Sequence, residues 1–213
     1  MRLPDDLRVR AAFAAIERRG FLTTRQGRRA DADRPISIGH GQTNSQPTTV
    51  ANMLDLLGVQ AGDRVLDVGA GSGWTTALLA HLVGPSGCVV GVELVPELAA
   101  WGAENLQRQD LPWASIEPAD RHVLGKPADG PYDRILVSAD APGLPGDLVD
   151  QLAVGGGWWC RSAARCWRST RPSRVPEPRA TVATRSSRSS SRRTDRARLS
   201  IRMVAGRLVC GLA

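Results

Sequence analysis

Residues 65–74, Val-Leu-Asp-Val-Gly-Ala-Gly-Ser-Gly-Trp, limit what the chain around them can form. A short apolar run breaks into Gly69, Gly71 and Gly73, at every second position, and a segment with helical spacing follows. The apolar run predicts a buried strand. Alternate glycines predict a tight turn whose backbone comes close to another group. A strand that passes directly into a helix also presents the positive helix N-terminus to whatever lies above the turn.

The flanking chain alternates in the same manner. Arg64–Val68, Cys88–Val92, Trp113–Glu117 and Tyr132–Ser138 are expected strands. Gly73–Val83, Pro96–Gln107 and Pro145–Leu152 are expected helices, the last stopped by Gly155-Gly-Gly157. This rhythm predicts an α/β fold: a doubly wound, mostly parallel sheet with right-handed crossovers. Upstream, Asp5 or Asp6 caps a first helix with Leu7, Phe13 and Ile16 on one face, ending near Arg18-Arg19-Gly20. Thr23–Arg34 reads as a basic loop or irregular helix, and residues 35–47 as a polar, Gly-rich loop. Pro47 suits the first position of a helix carrying Val50, Met53, Leu54 and Leu57.

Composition narrows the classes. A chain of 213 residues suits one domain with a full core. It has no apolar run of about 18 residues and no apolar leader at its start, so a cytoplasmic location is expected. Cys88, Cys160, Cys166 and Cys210 lack CxxC spacing, which argues against a disulfide framework and a metal site. The net charge of +7 is unevenly held. Residues 158–213 carry 14 Arg against two acids, +12, which leaves −5 for residues 1–157. A nucleic-acid partner argued from charge would concern the last 56 residues only.

Glu93 ends the expected second strand, about 20 residues past the last glycine, where a carboxylate accepts hydrogen bonds from both hydroxyls of a ribose. A solvated strand-end charge is the alternative. The spacing Gly-x-Gly-x-Gly preceded by Asp67 differs from the Gly-x-Gly-x-x-Gly of dinucleotide enzymes. It resembles the cofactor turn of class I methyltransferases. That resemblance implies S-adenosyl-L-methionine as cofactor, with Asp67, Gly69, Gly71, Gly73 and Glu93 as its binding residues.

The polar run Pro35-Ile-Ser-Ile-Gly-His-Gly-Gln-Thr-Asn-Ser-Gln-Pro47 resembles the substrate loop of the protein-L-isoaspartate O-methyltransferases. Val90-Gly-Val-Glu-Leu-Val-Pro-Glu-Leu98 resembles that family's ribose strand, and Tyr132–Pro142 and Leu148–Gly156 its later strand and helix. The likeness covers about residues 5–157 in the family's order. It implies methyl transfer to the free carboxylate of L-isoaspartyl residues in damaged proteins, a repair reaction. Such a carboxylate, of ordinary pKa about 3.9, is ionised at neutral pH and needs no general base. The resemblance assigns Ser45 as the active-site serine, holding the substrate carboxylate, with Gln42, Thr43 and Gln46 shaping the loop. It assigns Asp120 to the adenine amino group. Asn44 stands where the family usually has isoleucine, and Arg121 where it usually has glycine. His40 is expected to pack or hydrogen-bond, and Trp74 to pack. Two other functions stay open: a methyltransferase for another carboxylate, and a nucleic-acid-binding protein with a methyltransferase-like domain.

After Gly157 the pattern fails. Residues 158–213 form an Arg/Ser-rich tail, with Ser186-Ser-Arg-Ser-Ser-Ser-Arg-Arg193 as its extreme and no strand period until Leu199–Val204. Residues 1–157 are therefore expected to form the methyltransferase domain, with the last strands missing or irregular. Read from the third base of each codon, with permitted codon choices for Cys160, Arg161 and Ser162, Trp158-Trp159-Cys160-Arg161-Ser162 can give x-Val-Val-Pro-Val, the apolar strand expected there. The tail is accordingly read as a frameshift product and the enzyme as impaired, with apolar surface left uncovered. The competing reading is a genuine arm for anionic partners.

Overall fold

The computed structural model describes residues 4–140, 146–161, 166–170, 199–204 and 207–212, with side chains over 4–139 and 146–159. The Asp6 carboxylate accepts the N–H groups of Arg8 and Val9 and so caps α1 (Leu7–Ala15). The buried stripe is Val9, Ala12 and Ile16, whereas Leu7 is 76% exposed. Positions 9, 12, 13 and 16 share one helical face and position 7 does not, which corrects the expected stripe. The helix also stops at Ala15, and Arg18–Phe21 form a separate 3-10 turn. Within the expected irregular stretch lies a short helix, α2 (Thr24–Gly27), closed by a capping box between Thr23 and Gln26.

Residues 35–47 contain a hairpin rather than a loop. Strands β1 (Ile36–Gly39) and β2 (Gln42–Asn44) pair antiparallel, with Ile36 opposite Asn44 and Ser37 opposite Thr43. Ile36 and Ile38 alternate with exposed residues and give the hairpin one apolar face. Gly39, His40 and Gly41 turn the chain with φ of 91°, 51° and 71°. His40 is exposed in that turn, so the expected packing role does not hold. Helix α3 (Pro47–Leu57) begins at the proline, buries Val50, Met53, Leu54 and Leu57, and ends on Gly58 at φ 62°. Its second N–H and the Thr48 hydroxyl both donate to Asp33, which caps the helix from the preceding segment.

The central sheet holds β3 (Arg64–Val68), β4 (Cys88–Glu93), β5 (Ala114–Pro118), β6 (Tyr132–Asp140) and β7 (Leu152–Arg161). The five run parallel in the order β5-β4-β3-β6-β7. Helices α4 (Trp74–Val83) and α5 (Pro96–Gln107) follow β3 and β4, and the short α6 (Gly146–Val149) precedes β7. Alternate strand residues serve two cores. Val65, Val89 and Leu136 pack with α1, α3 and α4, and Leu66, Val90 and Ile135 pack on the opposite face with Leu148. Burial of each such aliphatic side chain contributes about 1.5–3 kcal/mol before entropy is counted. Arg8 fastens α1 to this body by donating to Val59 O at 2.8 Å and Leu82 O at 3.0 Å.

The end of the sheet departs from expectation. The helix predicted to reach Leu152 stops at Val149, and Leu152 already opens β7 opposite Tyr132. The triple glycine does not end this element. The register slips between Tyr132 and Arg134, then Gly157, Trp158 and Trp159 pair with Arg134, Ile135 and Leu136. Of the two expected outcomes, a missing or an irregular strand, the second is found at β7. Its physical basis is that Trp158 and Trp159 bury their rings on opposite faces, one in each core. The domain boundary expected after Gly157 falls within β7. β8 (Cys166–Thr170) pairs antiparallel with β7. β9 (Leu199–Val204) and β10 (Arg207–Leu212) pair antiparallel with each other, and β10 meets β6 at Val209 opposite Asp140. The Arg/Ser extreme at 186–193 lies outside the described residues. Among the described residues the exposed large apolar side chains are Leu7, Leu56, Val123 and Val154, and no helix is long and apolar enough to cross a membrane.

Candidate cofactor and substrate site

The turn from β3 to α4 places Gly69, Gly71 and Gly73 at φ of 89°, 56° and 91°, a region costly for other residues. Gly73 caps α4 and lies behind the turn. A Cβ there would sit 2.9 Å from Gly102 O, and one on Gly102 would sit 2.7 Å from Gly71 O. The glycines thus let α5 pack directly against the turn. Asp67 also lies behind it, fully buried, accepting from Thr76 Oγ1 at 2.8 Å and Ser138 Oγ at 2.7 Å. Burial pushes its carboxyl up to about 6, opposed by these two hydroxyls and reinforced by the Glu93 charge.

Above the turn is a cavity of about 230 Å³ at the carboxyl ends of β3, β4 and β6. Gly69, Gly71 and Glu93 line one side of it. Gln42, Thr43, Ser45 and Gln46, from β2 and the residues after it, line the other. Glu93 is 4% exposed, and its carboxylate accepts Gly71 N–H at 2.8 Å and Val95 N–H at 3.0 Å. A carboxylate has about four acceptor positions. Two therefore remain for the hydroxyls of a ribose, and the buried charge fits that ligand.

Asp120 lies outside this cavity. It borders a smaller hollow walled by Val68, Leu94, Val123 and Leu124, which meets the cavity at Gly69. The hollow is small, about 20 Å³, with mostly apolar walls and the Asp120 carboxylate among its lining groups. Asp120 Oδ1 accepts His122 N–H at 2.7 Å within its own loop. Arg121 is exposed and does not line the hollow, so its bulk does not close it.

Several site residues had no signal strong enough to single them out. Ser72, Ser138 and Ala139 line the cavity, and a polar residue at the carboxyl end of a predicted strand was the available clue to Ser138. Arg18 had none, because nothing distinguishes it from Arg19 in the sequence. Arg18 is 6% exposed and donates to Ala30 O, Ala32 O and Arg34 O at 3.1, 3.0 and 2.9 Å. It also donates to Asn44 O at 3.1 Å and Ser45 O at 2.9 Å. Its guanidinium carbon lies 5.4 Å from the Trp74 ring centroid. Burial pushes this group down to about 10, with Asp33 acting in the other direction. Trp74 packs as expected: it is 3% exposed, meets Phe13 edge-on at 5.4 Å, and donates from Nε1 to Ile16 O.

A parallel sheet whose glycine turn faces a buried strand-end carboxylate, with a small apolar hollow alongside, is the arrangement of a class I S-adenosylmethionine-dependent methyltransferase. The model of the protein-L-isoaspartate(D-aspartate) O-methyltransferase family matches residues 2–158. Named protein-L-isoaspartate O-methyltransferases are similar over most of that span. The one from Anaeromyxobacter dehalogenans strain 2CP-C is 48% identical over 152 residues, 71% of each chain. That of Myxococcus xanthus is 40% identical over 180 residues, 81% of this chain and 83% of its own. That of Aeropyrum pernix is 47% identical over 149 residues, 70% of this chain but 57% of its own length. A solved protein-L-isoaspartate O-methyltransferase superposes with TM-score 0.71 at 25% identity, over 79% of this chain and 56% of that one. A Plasmodium falciparum structure assigned to the same activity, in complex with S-adenosyl-L-homocysteine, gives 0.68 at 26%, over 79% and 84%. The chain belongs to the protein-L-isoaspartate O-methyltransferase family.

Proposed function

We propose that this chain transfers a methyl group from S-adenosylmethionine to the free carboxylate of L-isoaspartyl residues in damaged proteins, in the cytoplasm. The observation that carries this reading is that Ser45 and Glu93, from β2's end and β4's end, line one cavity. When bound, the cofactor supplies a methyl group already activated for attack by an anionic oxygen. Glu93 and the backbone of Gly69 and Gly71 hold its ribose and chain, and Asp120 at the rim of the apolar hollow holds the adenine. Ser45, whose carbonyl is fixed by Arg18, orients the substrate carboxylate with its hydroxyl, and Gln42, Thr43 and Gln46 complete the substrate wall. No proton moves, so the protein acts by alignment and exclusion of water. Asp67 and Gly73 serve the cofactor from behind the turn, by holding its shape. The test is methylation of an isoaspartyl peptide beside its aspartyl twin. Turnover confined to the isoaspartyl peptide supports the reading, and equal turnover of the two peptides, or none even with the frame after Gly157 restored, rejects it.

The same reading extends to residues after Gly157, which we infer to be out of frame, leaving activity impaired. It is supported by Trp159, whose Nε1 is buried with no hydrogen-bond partner among the described residues. A strand seat of this kind suits an aliphatic residue such as valine. Coding DNA in which no single-base shift restores an apolar strand here would sink the idea. A genuine basic arm for nucleic acid would instead show binding that falls steeply with salt.

A further inference from the structure

Ser45 sits on one wall of the cavity and the glycine turn on the other, and something must keep them in register. Asn44 spans the gap. Its Oδ1 accepts Arg18 Nε at 2.7 Å, and its Nδ2 donates to Ser72 Oγ at 3.1 Å. Ser72 lies between Gly71 and Gly73, and its carbonyl accepts Asn105 Nδ2 from α5 at 3.0 Å. Arg18, Asn44 and Ser72 are 6%, 5% and 2% exposed, so water does not substitute for a lost partner. We propose that Asn44 is the positioning residue that joins the substrate strand to the cofactor turn, so that a bound cofactor sets the seat of the substrate carboxylate at Ser45.

The argument rests on the methyl-transfer reading above. Arg18 fixes the carbonyls of Asn44 and Ser45, which sets the strand's backbone. Arg18 over the Trp74 ring and Ile38 beside Gly71 bring the hairpin against the turn through contacts that carry little directional preference. The Asn44 amide is a buried polar side-chain link between them, and it bonds to the segment that also carries Gly71. Ordering of the turn by the cofactor then orders Ser45, and by linkage a bound peptide tightens cofactor by the same factor. In-line transfer is sensitive to this register, because an error of about 1 Å costs on the order of a hundredfold in rate.

The test is calorimetric. Affinity for an isoaspartyl peptide is measured with and without saturating S-adenosylhomocysteine in the wild type, Asn44→Leu, Ser72→Ala and the double variant. The wild type is expected to bind peptide more tightly with the cofactor product present. Each single variant is expected to lose about two- to tenfold of that enhancement, the worth of one buried hydrogen bond, and the double variant no more than either. An enhancement unchanged by Ser72→Ala, or losses that add independently, overturns the proposal. Amide exchange across residues 42–45 in the protein alone gives a second readout. Ser72→Ala, a change outside the hairpin, is expected to raise that exchange by a similar factor. Unchanged exchange overturns the Asn44 link, whereas a wild type that binds neither molecule overturns the methyl-transfer reading instead.

Discussion

Glu93, proposed to hold the ribose, is 4% exposed and accepts two backbone N–H donors. Glu93→Gln keeps the volume but turns an NH₂ toward one of those donors. It is expected to lower affinity for S-adenosylhomocysteine at least about tenfold, since hydrogen bonds to a charged group are worth roughly 1.5–3 kcal/mol. Titration calorimetry reads this directly. Asp67 makes a different prediction, about pH. Its carboxyl is raised from the ordinary 3.8 to about 6 by burial. Over that interval the folded chain holds a proton that the unfolded chain has lost, so stability falls as pH rises from about 4 to about 6. In urea unfolding across this range, Asp67→Asn is expected to flatten the fall. An unaltered slope would place its origin elsewhere. Both acids were legible in the sequence as members of a cofactor pattern. Their division of labour was not, because the pattern cannot say which acid faces the cavity and which faces Thr76 and Ser138.

Among elements, the contact between the glycine turn and α5 decides the site's shape. Gly73 was legible as the third glycine of the motif, but its partner Gly102 was not, since it lies inside a helix with no turn signal. Gly102→Ala would place a Cβ 2.7 Å from Gly71 O. Overpacking of this kind costs about 1–3 kcal/mol, more than the roughly 1 kcal/mol alanine offers a helix. A lower urea midpoint together with weaker S-adenosylhomocysteine binding is the expected result. A stabilised protein would show that α5 can move away freely. The hairpin of β1 and β2 was hidden for a related reason. Its glycines and polar residues resemble a loop, while the alternation of Ile36 and Ile38 that makes it a strand pair spans only three residues. What consolidates the hairpin is distant in sequence: the apolar cluster with Leu22, Ala30, Val95 and Leu98, and Arg18 beneath Asn44.

For the molecule as a whole, the informative stretch is β7. Charge and composition after Gly157 argued against further sheet, yet parallel pairing with β6 continues to Arg161. A central parallel sheet leaves unpaired backbone at its edge and two apolar faces to fill, and two tryptophans meet the second need. The fit is imperfect at Trp159, 1% exposed with an Nε1 that has no hydrogen-bond partner among the described residues. Trp159→Phe is expected to raise the urea midpoint, since relief of an unsatisfied buried donor is worth about 1–3 kcal/mol and exceeds the loss of ring volume. A lowered midpoint would mean that packing, not the orphaned N–H, dominates. The proposed change of frame makes the larger prediction. Restoring the shifted frame after Gly157 should raise both thermal stability and turnover on the isoaspartyl peptide, and equal values would reject it.

The sequence by itself determined the parallel sheet, the glycine turn between β3 and α4, and the family, because strand–helix rhythm and alternate glycines are local patterns that nearby physics enforces. Only the tertiary structure decided that Asp67 works from behind the turn, that Asp120 belongs to a separate hollow, and that Arg18 rather than Arg19 holds Ser45. Those outcomes depend on burial, and burial is set by elements brought together across the chain. The Val65–Trp74 stretch thus specifies a glycine turn on its own, whereas its hydrogen-bonded link to β2 runs through Asn44, which Arg18 holds from across the chain.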